Sequence, residues 1–520
     1  MNYSSLKTHT LALMIVTLIG CFSLITTYAS EPKFGGTLRV MSQTDISSLD
    51  PHKLGWQNHE IARQIFEGLL AVDEGLKVIP GLAESWKISE NGLVYTFKLH
   101  HGIKFHNGKE MTSADVKATF ERVKQSAIGS QFASVESIDT PDAYTVVMKL
   151  SAPTATLLIS VASPYTVGIM PAEEAMSEEN KKNIQHPIGT GLYEFVEWIP
   201  DRYIKLKRFE KYWGGAGQST GTGGKKTAYV DEVVIRPIKE SAVQAASLEA
   251  GDVDLGFVHV SQKDRLEKNP QVKIASTGPT LSFWNFWFGT KPGSPMNDIN
   301  LRKAFAYAIN KKEMLVAATG GPGVTVNAAF PSFTPWYTKH YSTEYGPQQD
   351  IEKAKAYLKK SRYNGETLMI TTCKNYAPMY KQAVVAQAQL KSVGINTELE
   401  LMDWTSLFAK YKSGKFDIVS YGYGAHADPD AYFYARLHSS NTYNGWGNAE
   451  FDKIVLAARS TNDFEKRKAA YDQAQKILVD ELPLLPTFSE EFFYGYNKRV
   501  HGLKPWGTSL TRLWNIWLDK

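Results

Sequence analysis

The stretch Gly221-Thr222-Gly223-Gly224-Lys225-Lys226-Thr227 comes nearest to a phosphate cradle, and it fails on residue type. Such a loop ends in Lys followed by Ser or Thr, and here Lys226 stands where that hydroxyl belongs. The Gly, Ser and Thr density over 214–224 reads instead as a mobile loop or insertion. No GxSxG elbow and no HExxH helix occurs elsewhere. The 12 histidines are scattered. His100, His101 and His106 are close in sequence, but strand neighbours point to opposite faces and no ligand-spaced carboxylate or Cys joins them. Cys373 stands where a strand is expected to end and reads as a small core residue rather than a nucleophile. Neither a catalytic group, a metal nor a cofactor is therefore expected, and the chain does not read as an enzyme.

What remains is chemistry of binding. Trp404, Tyr421, Tyr423 and Trp446 flank one end of an expected sheet. Rings of this kind fill cores or line ligand pockets. Trp284 and Trp287, with Phe283, Phe286 and Phe288, read as a buried strand. Asp428-Pro429-Asp430 reads as a helix start, with Asp428 as N-cap and Pro429 at the first helical position. Direct ligand contact by Asp428 is the other reading.

These residues need elements to position them. The sequence predicts a strand at Thr37 to Val40 and a helix from about His59 to Leu70. It predicts a hairpin over 93–110 turning at Asn107-Gly108, and a second over 191–208 turning at Pro200-Asp201. Thr112 and Asp115 open a helix. Leu301, Phe305 and Ile309 form a helical stripe. Beyond them the pattern alternates: strand 367–371, helix 378–391, strand 397–401, helix 404–412, strand 416–421. Alternation of this kind predicts a mainly parallel sheet with helices on both faces, and ligands bind beyond the carboxyl ends of such strands. Two loops then form the candidate site, Thr372 to Ala377 and Gly422 to Asp430.

Composition sets the outer bounds. A chain of 520 residues is too long for one ordinary core, so two or three lobes are expected. The formal net charge of +5 is spread along the chain without a basic run, which leaves no footprint for nucleic acid. Cys21 and Cys373 are the two cysteines, and Cys21 lies in the N-terminal apolar segment, so no internal disulfide is expected in an exported body. The apolar run from Leu11 to Ile25 follows Lys7 and precedes Ala29-Ser30. At about 15 residues it is short against the ~20 of a membrane span and reads as a signal peptide over 1–30. Leu18-Ile19-Gly20-Cys21 leaves a lipoprotein anchored at Cys21 as the alternative.

Several blocks in fixed order resemble the bacterial solute-binding proteins of dipeptide and oligopeptide ABC importers (solute-binding protein family 5). They are Ser48-Leu49-Asp50-Pro51-His52, Ile79-Pro80-Gly81-Leu82-Ala83-Glu84-Ser85-Trp86, Gly102-Ile103-Lys104-Phe105-His106-Asn107-Gly108 and Thr112 to Arg122. Gly189 to Tyr193, Tyr212-Trp213-Gly214, Leu301 to Ile309, Asp428-Pro429-Asp430 and Leu484 to Pro486 follow. The resemblance covers residues 33–520. It implies an α/β, two-lobed periplasmic-binding-protein fold (type II) with an extra domain inserted in the first lobe. The implied segments are lobe I over 31–65, 188–284 and 489–520, the inserted domain over 66–187, and lobe II over 285–488. It implies a monomer in the periplasm that encloses a short peptide or peptide-like solute and delivers it to ABC permease subunits in the membrane.

The implied ligand site departs from the family pattern. Peptide-binding members have a Trp and, three residues later, an Asp that pairs with the peptide ammonium. Gly422 and Ala425 stand at those places here. An ammonium buried without its carboxylate is badly unpaired, so either Asp428 or another acid takes the role, or the ligand is not an ordinary free-amino peptide. An opine-like or sugar conjugate, or a metal chelate, is the alternative. Lys374, before Asn375, matches a basic residue that meets the ligand carboxylate, and Trp404 matches a pocket-lining Trp. The site implied is thus Lys374, Asn375, Trp404, Tyr423, Ala425, His426 and Asp428.

Overall fold

A computed structural model describes residues 31–53, 56–126, 128–162, 167–327, 334–337, 344–424, 426–508 and 511–519. The signal segment over 1–30, the Cys21 anchor and Ala425 lie outside the described residues.

Phe283–Phe288 is buried at every position, as an apolar run without alternation demands of a strand covered on both faces. It pairs antiparallel with Ile418–Tyr423 on one side and with the long strand Leu484–Asn497 on the other. Leu368–Cys373 runs parallel to both Ile418–Tyr423 and Thr397–Met402. The helix Ile299–Ala308, capped by the Asp298 carboxylate on the Asn300 amide, lays its apolar stripe on this sheet. Its Phe305 ring stands 5.3 Å from Phe286 and 5.0 Å from Phe288. Burial of such a ring contributes about 2–3 kcal/mol.

The expected parallel sheet holds only for the three strands between residues 368 and 423. The long strand carries the sheet onward to Leu255–Val258, then Thr37–Ser42, Glu232–Pro237, Tyr203–Arg208 and Tyr193–Ile199. Most of these pairings are antiparallel. The physical reason is local: the chain enters and leaves the 283–488 half through neighbouring strands, which must run in opposite directions.

The hairpin over 191–208 forms as expected, with Asp201 at φ +58° in its turn. The one expected over 93–110 does not. Asn107-Gly108 makes its turn, with Gly108 at φ +84°, but it closes only a bridge between Lys104 and Glu110. Val94–Leu99 pairs instead with Ala83–Ile88 and Thr145–Leu150, and Val135–Asp142 completes a separate four-stranded sheet. The helix Ser113–Lys124 opens on a Thr112 amide and hydroxyl that both donate to the Asp115 carboxylate, at 2.8 and 3.1 Å. Thr112 and Asp115 thus form the expected start of this helix.

Two distant sequence blocks meet at that helix. Arg122 grips Asp50 through two bonds of 3.1 and 2.7 Å, and both side chains are buried. Burial raises the Asp50 pKa, but the Arg122 bond and charge carry it below the ordinary value. His52, between Arg122 and the Gly168 carbonyl, is pushed down to about 4, by burial first and Arg122 second.

The Gly-rich loop is docked rather than free. Thr222 is buried, its amide donates to the Val72 carbonyl at 2.8 Å and its hydroxyl accepts the Val72 amide at 3.1 Å. Gly224 has φ +76°, and a Cβ there would lie 1.8 Å from the Gln218 carbonyl. Lys226 meets Glu67 at 3.1 Å, both buried. The lysine that spoiled the phosphate pattern is thus a structural ion.

One hydrophobic cluster is built only from residues between Phe283 and Phe488, two others draw on both flanks, and a small fourth draws on the N-terminal flank alone. The chain runs between the residues of that first cluster and the rest over 279–283 and, within the unbroken strand Leu484–Asn497, over 488–491.

Candidate ligand-binding site

Three parallel strands end on one edge of the 283–488 half. After Cys373 the chain enters Lys374, Asn375 and Tyr376, all exposed, before the helix Ala377–Val393. After Met402 the Asp403 carboxylate accepts the amides of Thr405 at 2.9 Å and Ser406 at 3.1 Å, which starts the helix Trp404–Ser413. After Tyr423 the chain runs through Gly424 to Asp428. Parallel strands bring these loops together.

Trp404 and Asn375 are joined directly: the Trp404 amide donates to Asn375 Oδ1 at 3.1 Å. The Trp404 ring stacks on Phe408 at 5.6 Å, meets Tyr376 edge-on at 5.1 Å and lies 5.7 Å from Tyr421. Lys374 is exposed, with its ammonium 5.2 Å from the Tyr380 ring centre. Cys373 is fully buried, its sulfur 3.9 Å from that of Met379.

Tyr423 is buried, donates its hydroxyl to the Ala431 carbonyl, and packs at 5.7 Å from Phe283, 4.3 Å from Tyr432 and 5.1 Å from His426. The His426 side chain is exposed to solvent, with protein packed around its base. That environment first, and the charge of Arg436 second, push its pKa down to about 4, so it is a neutral imidazole near pH 7.

Arg436, which the sequence reading passed over, lies behind these rings. It rises from the π-turn Phe433–Leu437, half-buried. Its guanidinium donates to the Tyr443 hydroxyl at 3.3 Å and also meets the Tyr423 hydroxyl. Burial works against its charge, but Tyr423, Tyr411, Tyr443 and Tyr421 around it hold the pKa above the ordinary value. Among the described residues no carboxylate lies within ion-pair distance of it. The only signal in the sequence was a lone base set in the aromatic run Tyr432-Phe433-Tyr434, eight positions past Asp428.

Asp428 is committed elsewhere. Arg467 grips both of its oxygens at 2.7 Å, both side chains are buried, and its Oδ1 also accepts the Asp430 amide at 2.9 Å. This is the capping role, reinforced by an ion pair, and it leaves no free charge for a ligand ammonium. Gly422 has a structural reason: a Cβ there would lie 2.4 Å from the Trp284 ring, so the Trp284 indole already lies across it. Trp284 Nε1 donates to Glu490 at 3.3 Å. Glu490 stands beside the second crossing, and burial pushes its pKa up to about 7 against the pull of that bond.

Two contacts bridge the halves elsewhere. Asn462 Nδ2 donates to the Tyr95 hydroxyl at 3.0 Å, and the Ala155 amide donates to the Arg459 carbonyl at 2.8 Å. A depression of about 510 Å³ lies away from the strand ends, around Glu67, Lys226, Trp213, His100 and Trp514. Its charged groups are bonded to one another: Glu67 takes the Tyr212 hydroxyl at 2.8 Å, Trp213 Nε1 at 2.9 Å and Lys226. Among the described residues no cluster of three or more His, Cys, Asp or Glu could hold a metal, and no helix is long and apolar enough to cross a membrane.

Two α/β halves, crossed twice by the chain, with aromatic rings at the strand ends, have the build of a ligand-capturing protein. The profile of the bacterial extracellular solute-binding proteins, family 5 (middle), matches residues 77–444, and the chain belongs to this family. It is 27% identical to the glutathione-binding protein GsiB of Escherichia coli O6:K15:H31 over 88% of this chain and 90% of that one. It shares 27% identity and a TM-score of 0.76 with DppA from Helicobacter pylori in complex with the peptide STSA, covering 94% of this chain and 99% of that one. It shares 27% identity and a TM-score of 0.75 with AgaA from A. tumefaciens R10 in complex with agropinic acid, covering 93% and 99%.

Proposed function

We propose that the protein binds a short peptide or peptide-like solute between its two halves and delivers it to the permease of an ABC importer. The observation that carries this reading is where the exposed aromatic and polar side chains gather. Tyr376, Lys374 and His426 are open at the strand ends of a half that the chain enters and leaves only through two adjacent crossings. Such crossings are natural hinges, and a ligand that touches both halves stabilises the closed form by the contacts it adds. Tyr95–Asn462 and Ala155–Arg459 are contacts of a closed form. The identities of the GsiB and DppA relatives support a peptide-like ligand. In this reading lobe I comprises 31–65, 188–284 and 489–520, the inserted domain 66–187 and lobe II 285–488. The protein works without catalysis, as a monomer in the periplasm after loss of residues 1–30.

A second reading keeps the role and changes the ligand to an opine-like conjugate. It is favoured by Trp284 lying across Gly422, where peptide binders keep a Trp of their own, and by the likeness to AgaA. Calorimetric titration of the unfolded-and-refolded, ligand-free protein tests the choice. Micromolar binding of di- to tetrapeptides supports the first reading. Binding of opine-type conjugates with no response to any peptide overturns it in favour of the second.

A further inference from the structure

We propose that Arg436 is the anchor for a carboxylate of the bound solute, so that the site selects its ligand by an acidic end rather than by a free ammonium. The proposal rests on the solute-capture reading above and sharpens its ligand class.

The other buried arginines of the molecule show what a structural guanidinium looks like here. Arg467 has Asp428 at 2.7 Å on two nitrogens, and Arg122 has Asp50 on two nitrogens. Arg302, also buried, has three bonds to the carbonyls of Glu481 and Met296, at 2.7 to 3.1 Å. Each satisfies most of its fork from within. Arg436 meets only phenols, Tyr443 at 3.3 Å and Tyr423, and has no carboxylate in reach among the described residues. The undescribed segments contain no Asp or Glu at all. A guanidinium carries five donors in a planar fork that matches a carboxylate with two parallel bonds. Leaving such a fork unfilled while half-buried is costly, unless a partner arrives from outside.

The surroundings agree. Tyr443 lies with its ring centre 5.7 Å from the cation, and the phenols of Tyr423, Tyr411 and Tyr421 favour the charge without neutralising it. Tyr421 is in ring contact with Trp404, and Tyr423 with His426, so the guanidinium lies behind the two side chains that line the strand ends. Asp428, the acid nearest in sequence, is locked to Arg467. Asp428 therefore offers a ligand ammonium no free carboxylate, whereas a ligand carboxylate meets an uncompensated cation. This gives a physical account of the missing acid at Ala425: acidic selection makes it unnecessary.

The test uses the mature protein, stripped of bound ligand, and an equimolar mixture of di-, tri- and tetrapeptides in three forms: free acid, C-terminal amide and N-acetylated. Bound species are read by native mass spectrometry and affinities by calorimetry. The free and N-acetylated acids should bind within about 3-fold of each other, and the amides about 100-fold more weakly, as for loss of one partner of a buried charge pair. Arg436→Met should bring the free acids down to the level of the amides without weakening the amides further. Arg436→Lys keeps the charge but loses the fork and should fall between, about 10-fold below the parent. If Arg436→Met does not fold, the amide comparison on the parent and the Arg436→Lys variant still decide. Equal binding of acids and amides overturns the anchor while solute capture stands. Loss of binding on N-acetylation alone also overturns it. No binding of any form overturns both readings.

Discussion

Arg467 and Arg436 belong to the same half of the molecule and both sit among aromatic rings. Arg467 lies 5.1 Å from the Trp336 ring centre and 5.6 Å from that of Tyr471, and Arg436 5.7 Å from that of Tyr443. The difference is the anion. Arg467 brings together the end of the site loop and the helix Phe464–Glu481 by holding both oxygens of Asp428. Arg436 holds none. A buried cation whose donors are filled from within is part of the fold; one whose donors stay largely open suits a partner from outside. The carboxylates repeat the contrast: Asp428 is gripped twice, while the side chain of Glu490 has the Trp284 indole.

The comparison breaks first on stability. Arg467→Met strands a buried Asp428 carboxylate and should cost about 3–5 kcal/mol in denaturant unfolding. Arg436→Met should cost within about 1 kcal/mol, because no internal charge loses its partner. Equal losses would erase the distinction.

The pH dependence sharpens it through the other gripped pair. His52, beside Asp50 and Arg122, has a folded pKa of about 4 against an ordinary 6.5. The unfolded chain binds the proton more readily, so stability is full above pH 6.5 and is lost as the pH falls toward 4. The expected loss is on the order of 3 kcal/mol by urea midpoint, and it should shrink in His52→Gln.

Glu490 gives the opposite sign. Its folded pKa of about 7 lies above the ordinary 4.5, so its charge costs stability as the pH rises between those values. Glu490→Gln should stabilise the free protein by about 2 kcal/mol at pH 8 and change little at pH 4. No gain at pH 8 would mean that this carboxylate is compensated after all. The smallest effect concerns closure: Asn462→Ala removes the bond to Tyr95 and should weaken solute binding about 3-fold with unfolding unchanged.

How far the sequence could be read follows the reach of each interaction. The buried strand Phe283–Phe288, the 193–208 hairpin and the alternating elements from Leu368 to Tyr423 announced themselves, because periodicity and turn residues act within a few positions. The sheet's direction did not, since it depends on which strands the chain uses to cross between halves. At the site, the strand-end loops and the Trp404–Asn375 neighbourhood were legible from the parallel pattern and the family blocks. The partner of Asp428 was not, because Arg467 lies 39 residues away. Gly422 looked like a lost Trp, and only the fold shows Trp284 lying over it. Arg436 was invisible for a deeper reason: its significance is that no carboxylate among the described residues pairs with it, and no local pattern encodes the lack of a distant partner.

The most direct test of this account is native mass spectrometry of the mature protein as isolated, beside its Arg436→Met variant, with identification of what each releases on denaturation. The account predicts a peptide or peptide-like molecule with a free carboxylate on the parent protein, and none on the variant. A released ligand without a carboxylate, or the same occupancy in both proteins, would contradict it.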